Sequence, residues 1–369
     1  MENWGLITYR DTYLLVDPAT TTSATLRQTA RTVCHEIAHM WFGNLVTMDW
    51  WSYLWLNEGF ARYCEFMAVN HAFPDWNVWQ WFVADPYNLA LTLDATPSSH
   101  AIEVEVNMPE EINSIFDAIS YAKGASVIRM LATYMGDAFA EGVRAYLKRY
   151  KYQNTRSADL WGCLNEAWER CGRTAGTYAT QTVSWVPTAV VGAAAAASSE
   201  VKPSIMDIMV GWTGLVNYPV VTVRALSESL AEGTATFRFE QRSILAMSSA
   251  AHAGDARLWA VMLTVAAPLS ATPEARHSVL FNGASCEWTY RASAETVAKG
   301  AAAVAKEIAA LKFNADCSAV ARMHYPDGVT PELKALVSAK GDGLPAQDKL
   351  GLLRDTVAMF EVRANRAYI

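Results

Sequence analysis

Residues 31–60 read RTVCHEIAHMWFGNLVTMDWWSYLWLNEGF, and this stretch decides how the rest of the sequence is interpreted. Apolar residues recur at helical spacing until Gly43 and Asn44 end the run. His35 and His39 are four residues apart, so they share one helical face and both imidazoles can reach the same metal ion. Two imidazole ligands leave coordination positions for a carboxylate and for water.

Two glutamates complete the pattern of a hydrolytic metal site. Glu36 directly follows the first histidine, where it can take a proton from water at the metal. Glu58 opens a second predicted helix with eighteen residues between it and His39, a spacing that suits a turn and an antiparallel return. Two histidines, one glutamate and an open fourth position are typical of hydrolytic zinc sites, whereas structural zinc sites are closed and cysteine-rich. The alternative, two histidines in a helix core, explains the first motif but not the returning glutamate.

Length and composition indicate a folded chain with more than one core. Its 369 residues exceed the usual size of a single domain, and 52% of them are hydrophobic while 18% are charged. This balance excludes intrinsic disorder. Because the net charge is −7, we expect no nucleic-acid partner. The longest uncharged apolar tract, residues 189–197, is too short to cross a bilayer, so no transmembrane segment is expected.

The cysteines and the first residues predict a cytoplasmic protein. Six cysteines are scattered along the chain without a CxxC pair, which is typical of reduced thiols. Glu2, Asn3 and Arg10 fall where the apolar region of a signal peptide would lie. The histidines outside the first motif lack metal-ligand spacing and are interpreted as ordinary surface or core residues; they are His71, His100, His252, His277 and His324.

The sequence predicts an α+β, multidomain fold with four parts. Residues 1–171 are expected to form one domain that is mainly helical. Residues 172–204 contain an alanine-rich run and are interpreted as a linker or insertion. Alternation of apolar and polar residues predicts a small antiparallel β-sandwich over residues 205–325. Residues 326–369 return to a helical pattern and are expected to begin a further helical domain.

Within these parts, periodicity predicts the individual elements. The expected helices lie near residues 26–41, 57–68, 120–135, 137–150, 157–171, 296–312 and 331–369. The expected strands lie near residues 6–9, 13–16, 218–223, 236–240, 258–265 and 277–281.

The segment HEIAHMWFGNLVTMDWW followed by LWLNEGFARYCEF closely resembles the zinc-binding core of the gluzincin aminopeptidases, which include the alanyl and puromycin-sensitive aminopeptidases. In the pattern of that family the zinc ligands match His35, His39 and Glu58, and the general base matches Glu36. The resemblance therefore implies one zinc ion per chain. It also implies that residues 1–171 are a thermolysin-like zinc peptidase domain, followed by the β-sandwich and the start of a helical domain.

The first residues carry a second motif of the family. MENWG, residues 1–5, resembles the end of the GAMEN exopeptidase motif. This resemblance implies that Glu2 pairs with the α-ammonium group of a substrate and that Met1 and Asn3 line the substrate. The alternative is an exposed terminal glutamate without function.

Two more residues are assigned to the site. The segment SYAKGA, residues 120–125, is similar to the YEKGA element of the family, which implies that Tyr121 is the catalytic hydrogen-bond donor to the oxyanion. Without the resemblance, a tyrosine near a helix start would be interpreted as packing. Glu65 follows Glu58 by seven residues, and we predict that it orients a ligand imidazole, with a solvated surface glutamate as the alternative.

The expected function is a zinc-dependent aminopeptidase that removes N-terminal residues from peptides with a free amino group. Relative to the family, the chain is expected to be truncated at both ends. One alternative is a truncated remnant that binds zinc and peptide without turnover. A second is an enzyme of the leukotriene-epoxide hydrolase branch, against which the predicted sandwich argues because that branch lacks it. A third is an endopeptidase, expected only if Glu2 is disordered.

Overall fold

The computed structural model describes residues 1–172, 179–184, 203–270, 276–339 and 343–367. The α-helices are α1 (Ser23–Ala38), α2 (Trp55–Ala72), α3 (Val78–Phe82), α4 (Asn88–Leu93), α5 (Pro109–Ile112), α6 (Gly124–Met135), α7 (Asp137–Arg149), α8 (Ser157–Arg170), α9 (Ile205–Gly214), α10 (Ile244–Ser248), α11 (Ala294–Ala298), α12 (Ala301–Ala309), α13 (Pro331–Ser338) and α14 (Ala346–Ala367). The strands are β1 (Val46–Met48), β2 (Gln153–Thr155), β3 (Ala179–Ser184), β4 (Pro219–Ser229), β5 (Thr234–Ser243), β6 (Val261–Ala266), β7 (Arg276–Phe281), β8 (Ser285–Arg291), β9 (Lys312–Phe313) and β10 (Arg322–His324). The fold is therefore α+β.

Helices α1 and α2 form the centre of the first part of the chain. Helix α1 begins after Thr22, whose hydroxyl accepts a hydrogen bond from the Thr25 amide at 3.2 Å. Helix α2 packs closely on α6 because glycines face each other: a Cβ at Gly59 would lie 3.3 Å from the main chain of Gly124. This close approach occurs one residue after Glu58 and brings the Tyr121 segment, which precedes α6, next to the predicted metal ligands.

The two strands predicted at residues 6–9 and 13–16 are wrong. Residues 11–13 form a short 3₁₀ turn, and the Thr8 amide donates locally to the Met1 carbonyl at 3.1 Å. Alternation of apolar residues is only part of what a strand requires, because its main-chain groups also need a neighbouring strand. The described part of the chain provides no such neighbour, and Leu6 and Leu15 remain exposed.

Two four-stranded sheets follow the helices, with strand orders β10-β4-β5-β8 and β3-β7-β6-β9. They pack face to face through aromatic rings: Phe239 in β5 stacks on Phe281 in β7 with ring centroids 6.1 Å apart and meets Phe313 in β9 at 5.7 Å. The prediction of an antiparallel sandwich is wrong at one edge of each sheet, where β10 pairs with β4 and β3 pairs with β7 in parallel.

Strand β3 corrects one part of the interpretation of residues 172–204 as a linker or insertion. Residues 179–184 pair in parallel with β7 and so belong to the second sheet. Sequence reasoning missed this strand because parallel neighbours need not be close in sequence. The alanine-rich run lies outside the described residues. Between residues 296 and 312 the single expected helix is divided into α11 and α12 at Gly300, which has a φ of +94°.

A buried ion pair joins the helices to the sheets. Lys123 and Asp94 are 0% and 1% exposed, and Lys123 Nζ lies 2.8 Å from Asp94 Oδ2. Lys123 also donates to the carbonyls of Leu215 and Asn217, at 3.3 and 3.2 Å, in the connection between α9 and β4. Burial lowers the pKa of Lys123, because the interior disfavours its positive charge. The Asp94 carboxylate and the two carbonyls stabilise that charge.

We expect Lys123→Met to lower the free energy of unfolding by about 3–5 kcal/mol, because it leaves the Asp94 carboxylate buried without its cation. Urea denaturation followed by circular dichroism measures this change. Lys299→Met, which removes the lysine of an exposed ion pair with Glu295, is the matched control and should change the midpoint little. Equal midpoints for the two variants would contradict the assignment.

Two sequence expectations concern the chain as a whole. None of the helices in the described ranges is long and apolar enough to span a bilayer. All six cysteines lie within the described residues, and no disulfide joins any of them.

Candidate metal centre and active site

His35, His39 and Glu58 converge on one point. His35 Nε2 lies 3.1 Å from His39 Nε2, and Glu58 Oε2 lies 3.3 Å from each of these nitrogens. A tetrahedral zinc ion with bonds of roughly 2.0–2.1 Å separates its ligand atoms by about 3.3 Å, so the three distances fit the ion. Among the described residues Glu58 Oε2 is buried without a hydrogen-bond partner, as expected of an atom that serves a metal.

The electrostatics of the three groups are strongly coupled. Burial opposes charge on both His35 and Glu58, but their mutual attraction outweighs it. Together with Glu65, Glu58 raises the pKa of His35 to about 9, while His35 and His39 lower the pKa of Glu58 to about 2. A zinc ion must therefore displace a proton from His35, and zinc binding is expected to weaken as the pH falls.

Hydrogen bonds orient both ligand imidazoles. His35 Nδ1 donates to Glu65 Oε2 at 3.0 Å, and His39 Nδ1 donates to the Phe42 carbonyl at 2.9 Å. Because each Nδ1 keeps a proton for its acceptor, Nε2 is the nitrogen that each ring offers to a metal ion. The contact with His35 is the one that an orienting role of Glu65 requires, and the role itself stays a prediction.

Glu65 is buried and accepts several hydrogen bonds, so it is not a solvated surface residue. It is 1% exposed, and its Oε1 accepts hydrogen bonds from Arg31 Nε and Arg62 Nη1, each at 2.8 Å. Burial would raise the pKa of Glu65, but Arg62, His35 and Arg31 together lower it to about 2. Sequence reasoning missed both arginines. The signal available was their spacing, since Arg31 precedes His35 by one helical turn and Arg62 precedes Glu65 by three residues.

We expect Glu65→Gln to weaken zinc binding by about 10- to 100-fold, because the charged acceptor of the His35 N–H is lost. Competition with a chromophoric chelator measures the affinity. Glu166→Gln, which removes a carboxylate from an exposed pair with Arg149, is the matched control and should bind zinc like the parent chain. A loss of less than about tenfold in Glu65→Gln would contradict the orienting role.

Glu36 faces the first residues of the chain. Its side chain is 14% exposed, and its Oε2 lies 3.0 Å from the amino nitrogen of Met1. The Glu2 carbonyl is held by Asn44 Nδ2, which donates at 2.6 Å. The segment that contains Met1, Glu2 and Asn3 therefore lies beside Glu36 and Asn44, and its predicted contact with substrate stays a prediction.

Tyr121 lies next to His35, in a π-helical turn over residues 119–123. Its ring stacks on the His35 ring with centroids 6.1 Å apart. Burial and then the Glu58 carboxylate raise the pKa of Tyr121; Arg62 lowers it and Glu2 raises it by smaller amounts. The hydroxyl therefore keeps its proton near neutral pH and can donate a hydrogen bond. A cavity of about 340 Å³, lined in part by Arg62, Phe116 and Tyr121, opens beside the ring.

The comparisons with known proteins agree with this geometry. Residues 1–186 match the peptidase family M1 domain. The chain is 34% identical to Aminopeptidase M1-B of Oryza sativa subsp. japonica over 364 residues, which are 98% of this chain and 36% of the relative. It is 40% identical to Aminopeptidase 2, mitochondrial, of Saccharomyces cerevisiae over 266 residues, 72% of this chain and 24% of the relative. It is 50% identical to the alanine/arginine aminopeptidase of the same yeast over 168 residues, 45% of this chain and 20% of the relative.

A buried His–His–Glu cluster on two successive helices, with a further glutamate beside the first ligand, defines the class of metallopeptidases. Within that class, this chain belongs to peptidase family M1. The resemblance to the zinc aminopeptidases is thereby confirmed. The chain spans 36% or less of the length of the three relatives named above.

Proposed function

We propose that this chain is the zinc-binding part of an aminopeptidase that hydrolyses the first peptide bond of peptides with a free N-terminus. The observation that carries the proposal is the set of distances of 3.1–3.3 Å among His35 Nε2, His39 Nε2 and Glu58 Oε2. These atoms would hold one zinc ion. The proposal includes a thermolysin-like arrangement for residues 1–171, a sandwich over residues 205–325 and the beginning of a helical domain over residues 326–369.

When bound, the zinc ion supplies Lewis-acid chemistry, since it lowers the pKa of water and polarises a carbonyl. Glu36 is the general base: its Oε2 accepts the proton of the water that attacks the scissile carbonyl and returns a proton to the leaving amine. Its position directly after His35 and its limited exposure support this role, because a partly desolvated carboxylate next to the reacting atoms needs little reorganisation.

Tyr121 and Glu2 have different tasks. The Tyr121 hydroxyl donates a hydrogen bond to the carbonyl oxygen as negative charge develops on it. The Glu2 carboxylate pairs with the substrate α-ammonium, and Met1 and Asn3 line the substrate beside it. The hydrogen bond from Asn44 to the Glu2 main chain supports this position, because it ties the segment to the chain that follows α1.

The relatives favour this function over the alternatives. Both yeast proteins and the rice protein are named aminopeptidases, which favours an enzyme over a binding remnant without turnover. The two packed sheets argue against the epoxide hydrolase branch, which lacks that domain. A cytoplasmic location also stays a prediction; six cysteines without a disulfide among them are compatible with it, whereas one relative is named mitochondrial.

Hydrolysis of a panel of aminoacyl fluorogenic amides tests the proposal. We expect turnover that is lost on treatment with a chelator and recovered when zinc is added back. Amides with a blocked amino group are the matched control and should not be cleaved, because they cannot pair with Glu2. Stoichiometric zinc without cleavage would favour the remnant, and cleavage of blocked peptides would favour an endopeptidase.

A further inference from the structure

The turn that carries Tyr121 is fixed by a single carboxylate at its start. Asp117 Oδ1 accepts hydrogen bonds from the amides of Ile119 and Ser120, at 2.9 and 3.2 Å. The Asp117 carbonyl accepts a third bond, from the Tyr121 amide at 3.1 Å. Three successive amides of the turn are therefore oriented by one residue, as the donors at a helix start require.

His100 holds the other oxygen of that carboxylate. His100 Nε2 lies 2.8 Å from Asp117 Oδ2, and His100 Nδ1 lies 2.7 Å from the Ala101 carbonyl. Both ring nitrogens face acceptors, so both must donate, and His100 is an imidazolium. Asp117 raises the pKa of His100, while burial and the charge of Lys123 act in the opposite direction. His100 thus reaches the Tyr121 turn from a separate segment and fixes the carboxylate that organises it.

We propose that His100 and Asp117 are positioning residues for the Tyr121 hydroxyl. The inference rests on the proposed function, in which that hydroxyl stabilises the oxyanion. The pair lies at the edge of the fold, with side chains 25% and 37% exposed, and an ion pair of this exposure contributes little to global stability. We therefore expect loss of this ion pair to change the conformation of the Tyr121 turn and to leave the free energy of unfolding of the whole chain nearly unchanged.

Precise placement matters because a hydrogen-bond donor acts over a narrow range of distance. A displacement of about 1 Å of a catalytic group can cost about 100-fold in rate. Loss of the His100 contact frees one oxygen of Asp117 but leaves the bonds from Ile119 and Ser120 in place. We therefore expect a partial loss for His100→Gln, of about tenfold in kcat, with KM and zinc content unchanged. Asp117→Ala removes the amide acceptor as well and should lose more than Asp117→Asn, which keeps it.

A double-mutant cycle with Tyr121→Phe separates positioning from a general structural role. If His100 acts through the Tyr121 hydroxyl, His100→Gln lowers kcat by about tenfold in the parent chain and has no further effect in Tyr121→Phe. His71→Gln, at the exposed end of α2, is the matched control and should leave kcat unchanged in both backgrounds. The same loss from His100→Gln in both backgrounds would overturn the proposal.

Amide hydrogen exchange gives a readout that does not depend on turnover. We expect the amides of residues 119–121 to exchange at least about tenfold faster in His100→Gln and faster still in Asp117→Ala, with other helices unchanged. Unchanged exchange at these amides would overturn the positioning role even if activity falls. Failure of the proposed function gives a different result: the parent chain shows no turnover, or Tyr121→Phe keeps the kcat of the parent chain. The exchange measurement then still decides whether His100 and Asp117 position the turn.

Discussion

Glu36→Gln is expected to lower kcat by about 10²–10⁴-fold, the contribution of a well-placed general base. Glutamine keeps the size of the side chain and its hydrogen-bonding oxygen, but the neutral amide cannot accept the proton of the attacking water. Zinc content should stay at one ion per chain, because the ligand atoms belong to His35, His39 and Glu58. Steady-state hydrolysis of an aminoacyl amide, with metal analysis of the same sample, measures both quantities.

The matched control is Glu105→Gln, which makes the same chemical change at an exposed glutamate outside the site. This control should keep the kcat of the parent chain. Full turnover in Glu36→Gln would remove the base assignment. A loss of zinc in the same variant would mean that Glu36 supports the metal rather than the proton transfer.

Tyr121→Phe is expected to lower kcat by about 10²–10³-fold, the usual effect of removing one oxyanion donor. The ring remains and can still stack on His35, so zinc affinity and KM should change little. A lower kcat with an unchanged KM indicates an interaction that is made mainly in the transition state. Steady-state kinetics on the zinc-loaded variant measure this separation.

Tyr152→Phe removes a hydroxyl from a tyrosine that is 74% exposed and serves as the control, with no expected change in kcat. If Tyr121→Phe raised KM and left kcat intact, the tyrosine would contribute to ground-state binding instead. That outcome would also remove the basis for a positioning role of His100 and Asp117.

The metal cluster was predictable because helical geometry converts spacing into proximity. A spacing of four residues from His35 to His39 is enough to align two imidazoles, and the eighteen residues between His39 and Glu58 allow a single return of the chain. The structure brings these three side chains together at hydrogen-bond distances. The position of Glu65 near the metal ligands could also be predicted from the sequence, since residues seven apart on a helix share a face.

Long-range pairing was much harder to predict. His100 contacts Asp117 across seventeen residues, and Lys123 contacts Asn217 across ninety-four, so no local pattern connects them. Strand β3 pairs in parallel with β7, and such partners leave no hairpin signal in the sequence. The stretch at residues 6–9 shows the converse case, in which a local strand pattern is present without a described partner strand.

The central claim is that His35, His39 and Glu58 bind one zinc ion in a site open to water. Zinc-edge X-ray absorption spectroscopy of the zinc-loaded chain tests it most directly. The account predicts a spectrum of nitrogen and oxygen ligands at roughly 2.0–2.2 Å with two imidazoles and no sulfur. Sulfur ligands at about 2.3 Å, which would indicate a cysteine site, or a spectrum unchanged in Glu58→Ala, would contradict it.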